Sequence, residues 1–304
     1  MISLSTDEYA VFAELEGGVV SNVGCARSRG SEIQIHCNRT PVSSLAELAR
    51  VIPQLLITTD SIELLTGGSL LRRQYIDWGV FHVKPEFGDL WRSAQRCIKQ
   101  RNALLQTIHA PGLNTANAER LEAWDVQFVE LANHIDVLRA DYVVRLLPHV
   151  EQVLKQFGQM PKITLAYQRG WQGSLHEQLY VMREKDIQKG YTSLGPHRAN
   201  LDLRIGQQKA FEVLSRGQMK LAIIALKLAQ GLLFIEQTGR HPVILIDDLA
   251  AELDRNHRKE LCGLLDEMGC QIFITGVDID LIDVDWQNPS VVKKFHVERG
   301  VING

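Results

Sequence analysis

The stretch from Leu214 to Asp254 constrains the fold of this chain more tightly than any other. It opens with Leu214-Ser215-Arg216-Gly217-Gln218 and continues as an amphipathic helical pattern to about Glu236. It breaks at Gly239 and Pro242, then resumes as the strand Val243-Ile244-Leu245-Ile246. A strand that is apolar at every position needs cover on both faces, as in a parallel sheet flanked by helices. Asp247 and Asp248 end that strand, and Ala251-Glu252-Leu253-Asp254 leads into another helix. Helix, buried strand and helix in succession give an α/β arrangement. The carboxyl end of such a strand is where parallel sheets bind ligands.

These residues carry recognisable chemistry. Ser215 is a good helix N-cap, Gly217 lets a ligand approach the backbone closely, and a helix N-terminus attracts phosphate. Ser215, Arg216, Gly217 and Gln218 together read as a clamp on the γ-phosphate of ATP, or more simply as a helix cap. Asp247 is the candidate Mg²⁺ acid, and Asp248 the candidate base that orients or deprotonates an attacking water. Asp254 can cap the helix that carries Leu261, Leu264, Leu265 and Met268, and can also face a partner subunit. Thr275-Gly276 closes the next strand, where a resemblance to ABC-type ATPases implies a residue that senses γ-phosphate, although no His stands there. The same resemblance makes Gln54 a candidate Mg²⁺ contact. Gly195-Pro196-His197-Arg198 forms a loop from which Arg198 could reach a phosphate or carboxylate.

The remainder of the chain organises around this stretch. Residues 9 to 39 alternate as β structure with a turn at Gly17-Gly18, and a short helix and the strand Leu55-Leu56-Ile57 follow. Helical territory begins near Leu71. One apolar stripe runs from Phe87 to Ile108. A second runs Trp124, Phe128, Leu131, Ile135, Leu138, Tyr142 at heptad spacing. A break across His109 to Ala118, with Pro111, Gly112 and Asn114, makes the two helices an antiparallel hairpin, either a protruding arm or ordinary bundle packing. Residues 162 to 205 read as β, with strands at Ile163 to Tyr167, Tyr191 to Ser193 and Leu201 to Leu203. The segment from Phe295 to Ile302 reads as a strand with a turn.

Composition sets the outer limits. The 304 residues are 45% hydrophobic and 23% charged, with a net charge of −3. Such a chain buries about three quarters of its unfolded surface. The overall charge lends no support to nucleic-acid binding. A local basic patch is still available from Arg27, Arg29, Arg72, Arg73, Arg92, Arg96, Lys99 and Arg101. Five cysteines without a C-x-x-C pair argue against a zinc site or a disulfide framework. Reduced thiols, a polar Met1 to Glu8 and apolar runs interrupted by Lys227, Gln230 and Glu236 predict a cytoplasmic protein without a membrane span.

Together these motifs resemble the RecF family of bacterial DNA replication and repair proteins, within the ABC-type ATPase superfamily. The resemblance runs from about residue 9 to the end. It rests on Gly67-Gly68 with Arg72-Arg73 and Asp77, on Gln100-Arg101-Asn102, and on Gly195-Pro196-His197-Arg198. It rests also on Leu214 to Gln218 and on Leu245-Ile246-Asp247-Asp248 with Glu252-Leu253-Asp254. It implies an α/β ABC-ATPase-like head with a mainly helical second lobe. Residues 1–70 would be the remainder of the N-terminal lobe I, 71–205 lobe II with its helical arm, and 206–304 the C-terminal part of lobe I. It further implies ATP and Mg²⁺ as cofactors, with Ser215 to Gln218 meeting ATP carried by the opposite subunit. An ATP-dependent homodimer on single-stranded or gapped DNA, RecO and RecR as partners, recombinase loading and SOS induction are implied too.

The sequence departs from the family at its front. No G-x-x-x-x-G-K-[ST] phosphate loop occurs, and no Gly-Lys pair is present in the chain. The expectation is a chain that starts after this segment, which makes ATP binding in cis doubtful. The alternative is a non-catalytic DNA- or partner-binding fragment that has lost hydrolysis. A transporter cassette fits poorly with the helical hairpin and the paired acids. The phosphate loop supplies most of the β- and γ-phosphate binding, so the 304-residue chain alone should hydrolyse no ATP above background. Steady-state turnover that disappears in Asp247→Ala would overturn this.

Overall fold

The computed structural model describes residues 6–16, 20–42, 44–109, 113–158, 160–248, 253–277, 286, 291–298 and 301–303. They fall into two compact units, Met1–Gln54 and Leu55–Gly304. The first unit is an antiparallel sheet in the order β1 (Glu8–Glu14), β2 (Asn22–Ser28), β3 (Gln34–Cys37), β4 (Thr40–Val42), followed by α1 (Leu45–Val51). Among its described residues Val23, Ile35 and Pro53 are buried. The expected turn at Gly17-Gly18 lies outside the described residues.

The second unit starts in β5 (Gln54–Ile57), followed by α2 (Glu63–Thr66), α3 (Ser69–Val83), α4 (Phe87–His109) and α5 (Thr115–Gln156). Next come β6 (Thr164–Gln168), α6 (Leu175–Lys189), β7 (Asn200–Ile205), β8 (Gln208–Lys209) and α7 (Ala210–Val213). The C-terminal part is α8 (Arg216–Thr238), β9 (Val243–Ile246), α9 (Arg255–Met268), β10 (Ile272–Ile274) and the hairpin β11 (His296–Glu298) and β12 (Val301–Asn303). The central sheet has the order β10-β9-β5, with β9 and β10 parallel. A second sheet, β6-β7-β8, is antiparallel. The protein is thus α/β, with the parallel strands read from sequence in place.

Helix α8 is the centre of the core. Leu221 to Ala229 lies buried apart from Lys227, and Leu233 and Phe234 extend the buried face. By length and composition α8 could cross a membrane, but 67% of its apolar window is buried within the protein. Its one fully buried polar side chain, Gln230, donates to the Tyr75 carbonyl at 2.7 Å and to the Tyr142 hydroxyl at 3.2 Å. The Tyr75 hydroxyl in turn donates to the Leu226 carbonyl at 2.7 Å. Three helices, α3, α5 and α8, are therefore pinned by buried polar bonds that would each cost 1–3 kcal/mol if left unmade.

The heptad stripe of α5 packs inward rather than standing free. Ile135, Leu138 and Tyr142 enter the main core, and Phe128 enters a second cluster with Trp171, Leu175 and Leu179. That second cluster depends on α6, which the sequence reading placed inside a β region. Its buried face is Leu175, Leu179, Arg183, Asp186 and Ile187. The spacing is helical, but two charged residues occupy the inner stripe and dilute the apolar period. Tyr191 to Ser193, read as a strand, is a loop after α6. Thr192 faces inward there, accepting from Arg101 Nη1 at 2.9 Å, and its hydroxyl lies 2.7 Å from Asn102 Oδ1.

Arg101 is fully buried between Asp125 at 2.6 Å and Asp186 at 3.1 Å. Arg183 joins Asp125 at 3.0 Å and Glu122 at 2.7 Å. The basic cluster read from sequence is therefore reduced, since Arg101 is an internal tie and Arg92 pairs with Asp89.

Gly79 shows how closely α3 approaches α5. A Cβ at this position would stand 1.9 Å from Tyr142 Cζ. Gly79→Ala should lower stability by about 1–3 kcal/mol through overpacking. A shift of the urea midpoint at constant slope checks this, and an unchanged midpoint refutes it.

Candidate functional site

Ser215 caps α8 with extended backbone, φ −64° and ψ 163°. Its Oγ accepts from the Gln218 amide at 3.3 Å, and Gln218 Oε1 accepts from the Ser215 amide at 3.0 Å. This reciprocal capping box is what Ser with Gln three residues later should form. It consumes two amides of the first turn. The amides of Arg216 and Gly217 belong to the group that an α-helix leaves without internal partners. Ser215, Arg216 and Gly217 are exposed. A Cβ added to Gly217 would meet nothing within 4 Å, and its φ is not among the positive ones. Among the described residues no packing requires glycine here.

The two acids are organised by a residue weighted lightly in the sequence. Asp247 follows β9, and its amide donates to the Ile57 carbonyl at the end of β5, at 2.9 Å. The Thr275 hydroxyl donates to Asp247 Oδ1 at 2.5 Å and accepts from the Asp248 amide at 3.0 Å. The Thr275 amide donates to the Ile246 carbonyl at 2.9 Å, which continues the β9–β10 ladder. One hydroxyl from the neighbouring strand therefore fixes both acids. Asp248 sits at φ 53°, a left-handed conformation that Asp tolerates better than most residues. The only sequence signal for Thr275 was its place at the end of the next parallel strand.

Asp254 caps α9. Its Oδ1 accepts from the amides of Asn256 at 3.0 Å and His257 at 3.1 Å, and Oδ2 lies 2.6 Å from His257 Nδ1. Ala251 and Glu252, part of the same sequence motif, lie outside the described residues. Gln54 begins β5, whereas Asp247 bonds to Ile57 at that strand's far end, so β5 separates the two. Arg198 is exposed on the loop after α6, with its guanidinium 5.4 Å from the Tyr191 ring centre. Among the described residues no group of three or more His, Cys, Asp or Glu side chains gathers as a metal site. The donors at the end of β9 are a carboxylate and a hydroxyl, the hard oxygen type that Mg²⁺ takes, with water and phosphate completing its shell.

An exposed Ser-x-Gly-Gln helix cap and paired acids at the end of a buried parallel strand stand here on an α/β head of the ABC-ATPase fold. Residues 13–302 match the RecF/RecN/SMC N terminal domain. The DNA replication and repair protein RecF of Pseudomonas fluorescens (strain SBW25) is 41% identical over 291 residues, which are 95% of this chain and 78% of that protein. RecF of Pseudomonas putida (strain W619) is 41% identical over 297 residues, 96% of this chain and 79% of that one. Among solved structures, the recombination mediator protein RecF with ATP, in the RecFOR pathway, superposes with a TM-score of 0.83 at 21% identity. It covers 99% of this chain and 81% of its own. The corresponding RecF-ATPrS structure gives 0.79. The chain belongs to the RecF family.

The cap at Asp254 has a measurable consequence. Hydrogen bonds from the His257 amide and ring, ahead of other causes, hold its carboxyl below the usual range. A depressed folded pKa contributes stability above the unfolded value of about 4 and loses it as pH falls through the folded value. Asp254→Ala should therefore destabilise the protein by about 0.5–2 kcal/mol at neutral pH. The difference should shrink in unfolding measured near pH 3. A gap that stays constant with pH would refute the cap's ionic character.

Proposed function

We propose that this chain is the ATP-engaging head of a DNA replication and repair protein that works as an ATP-dependent homodimer. In this reading Ser215, Arg216, Gly217 and Gln218 of one copy close over the γ-phosphate of ATP held by the other. Asp247 holds Mg²⁺, Asp248 orients or deprotonates the attacking water, and Asp254 faces the partner across the ATP. Thr275 keeps the two acids in register. Residues 71–205 act as lobe II, residues 206–304 as the C-terminal part of lobe I, and residues 1–70 as the rest of that lobe. The biological reading that goes with it is binding to single-stranded or gapped DNA in the cytoplasm. RecO and RecR act with it in loading the recombinase, and SOS induction follows.

The observation that carries the proposal is the open first turn of α8. A helix start whose Gly217 has open space around it, beside exposed amides that its own cap leaves unused, is free to take an anion brought from outside the chain. The names of the relatives, proteins of DNA replication and repair, support the same reading. A second reading, a DNA- or partner-binding fragment without hydrolysis, draws on the absence of a Gly-Lys phosphate loop from the 304 residues.

The test uses this chain with a phosphate-loop segment fused ahead of residue 1. Ser215→Arg should leave monomer ATP binding intact and block ATP-driven dimerisation, because a bulky cation fills the space the phosphate needs. Asp248→Asn should accumulate ATP-bound dimers while turnover falls. Light scattering and phosphate release separate the two. Normal dimerisation of Ser215→Arg, or unchanged turnover of Asp248→Asn, would show the roles to be misassigned. A fused protein that binds DNA but never turns over ATP would favour the second reading.

A further inference from the structure

The loop from Gly190 to Ala199 is tied into the protein along most of its length and exposes only Tyr191 and Arg198. Arg139 Nη1 donates to the Pro196 carbonyl at 2.7 Å while its other nitrogens hold Asp77 at 2.7 and 2.8 Å. Arg73 Nη1 donates to the Ala199 carbonyl at 2.8 Å. His197 Nε2 lies 3.0 Å from the Thr192 carbonyl, and the Ser193 amide donates to Asp186 at 3.1 Å. Gly195 takes φ 129°, and a Cβ there would stand 2.5 Å from Phe128 Cζ. Backbone held this firmly, in a region of φ that L side chains avoid, points to a function in what it presents.

Among the described residues it presents positive charge without a matching acid. The charged groups that bear on Arg73, after burial itself, are Arg139, Asp77, Arg198 and Arg72, and the three arginines depress its pKa against the single carboxylate. That carboxylate is already gripped by Arg139. Asp202, the acid on neighbouring β7, is engaged by Arg204, Gln168 and Asn200. The side chain of Arg198 rests on the Tyr191 ring, and Lys189 approaches the same ring at 5.5 Å. Tyr191 is itself 41% exposed. The C-terminal turn of α6 accounts for Lys189 through the helix dipole. Nothing comparable accounts for Arg198.

We propose that Arg198 and Lys189, both against the Tyr191 ring and backed by Arg73, form a preorganised seat for the phosphate backbone of single-stranded DNA. This assignment rests on the proposed DNA-binding function and adds the place of contact. Guanidinium and ammonium groups on one aromatic ring, without carboxylate partners among the described residues, suit the phosphates of a single strand. A free phosphate ion would meet the same groups, and competition by inorganic phosphate distinguishes the two.

The experiment measures binding of a fluorescent single-stranded oligonucleotide to the 304-residue chain across about 50–200 mM salt. Wild type should show steeply salt-dependent binding. In the Arg198→Ala, Lys189→Ala variant the plot of log affinity against log salt should be shallower by about 1.4, two phosphates at about 0.7 each. Arg198→Lys, which keeps the charge, should retain the wild-type slope. Inorganic phosphate should compete only weakly. A double variant that is folded, by its melting curve, and binds with the wild-type slope overturns the seat while leaving DNA binding standing. A slope for Arg198→Lys as shallow as that of the Ala variant also overturns it. A wild-type chain that binds no oligonucleotide overturns both this assignment and the function it rests on.

Discussion

Helix α8 has to satisfy two opposed demands, and the rest of the second unit follows from them. Its middle is the most apolar part of the core, and its first turn must stay open to solvent at Ser215 to Gly217. Apolar packing alone fixes a helix poorly against rotation, because burial is non-directional. Gln230 supplies the direction. Its amide is satisfied only when α8 faces Tyr75 on α3 and Tyr142 on α5 at the observed angle. From Gln230 to Ser215 is about 22 Å along the axis at 1.5 Å per residue. A bond deep in the core thus aims a cap on the surface.

The same logic extends outward through α5. Tyr142 sits against Gly79, Arg139 sits between Asp77 and the Pro196 carbonyl, and Asp125 sits on Arg101 and Arg183. Asp125 and Arg139, about four turns apart on this helix, each make buried polar contacts with different neighbours. Buried ion pairs add little net stability, but removing one partner strands the other at a cost of about 3–5 kcal/mol. Their effect is to permit one register of α3, α4 and α6 around α5. The loop bearing Arg198 inherits that rigidity.

The parts of the fold that were legible in sequence are those where one signal dominates. The all-apolar strand at Val243, the S-x-G-Q cap at Ser215 and the two stripes at Phe87 and Trp124 each read correctly because apolar period and capping chemistry agree. Helix α6 was hidden because its buried face includes Arg183 and Asp186, whose acceptability depends on Arg101, Asp125 and Glu122 far away in sequence. Thr275 was underestimated for the same reason. A hydroxyl is unremarkable until the sheet brings it 2.5 Å from Asp247. Arg101, which the sequence places both on the stripe from Phe87 to Ile108 and among candidate surface cations, is internal, paired with two aspartates on other helices. Long-range pairing of charge is the information that a one-dimensional pattern does not carry.

The capping box and the open glycine bear on one another. Had Ser215 capped the helix with every first-turn amide engaged, α8 would simply be a well-terminated core helix. Instead the box binds the amides of Ser215 and Gln218 to each other's side chains, and those of Arg216 and Gly217 stay with the group that a helix leaves unpaired. A Cβ at 217 would meet nothing within 4 Å among the described residues. Packing there does not account for the glycine, whereas the proposed function does, since a phosphate brought against the helix needs close approach to its backbone. Under that proposal the stability of this chain and its function draw on different residues along a single helix: Gln230 and its neighbours hold α8 in place, and Gly217 serves the phosphate.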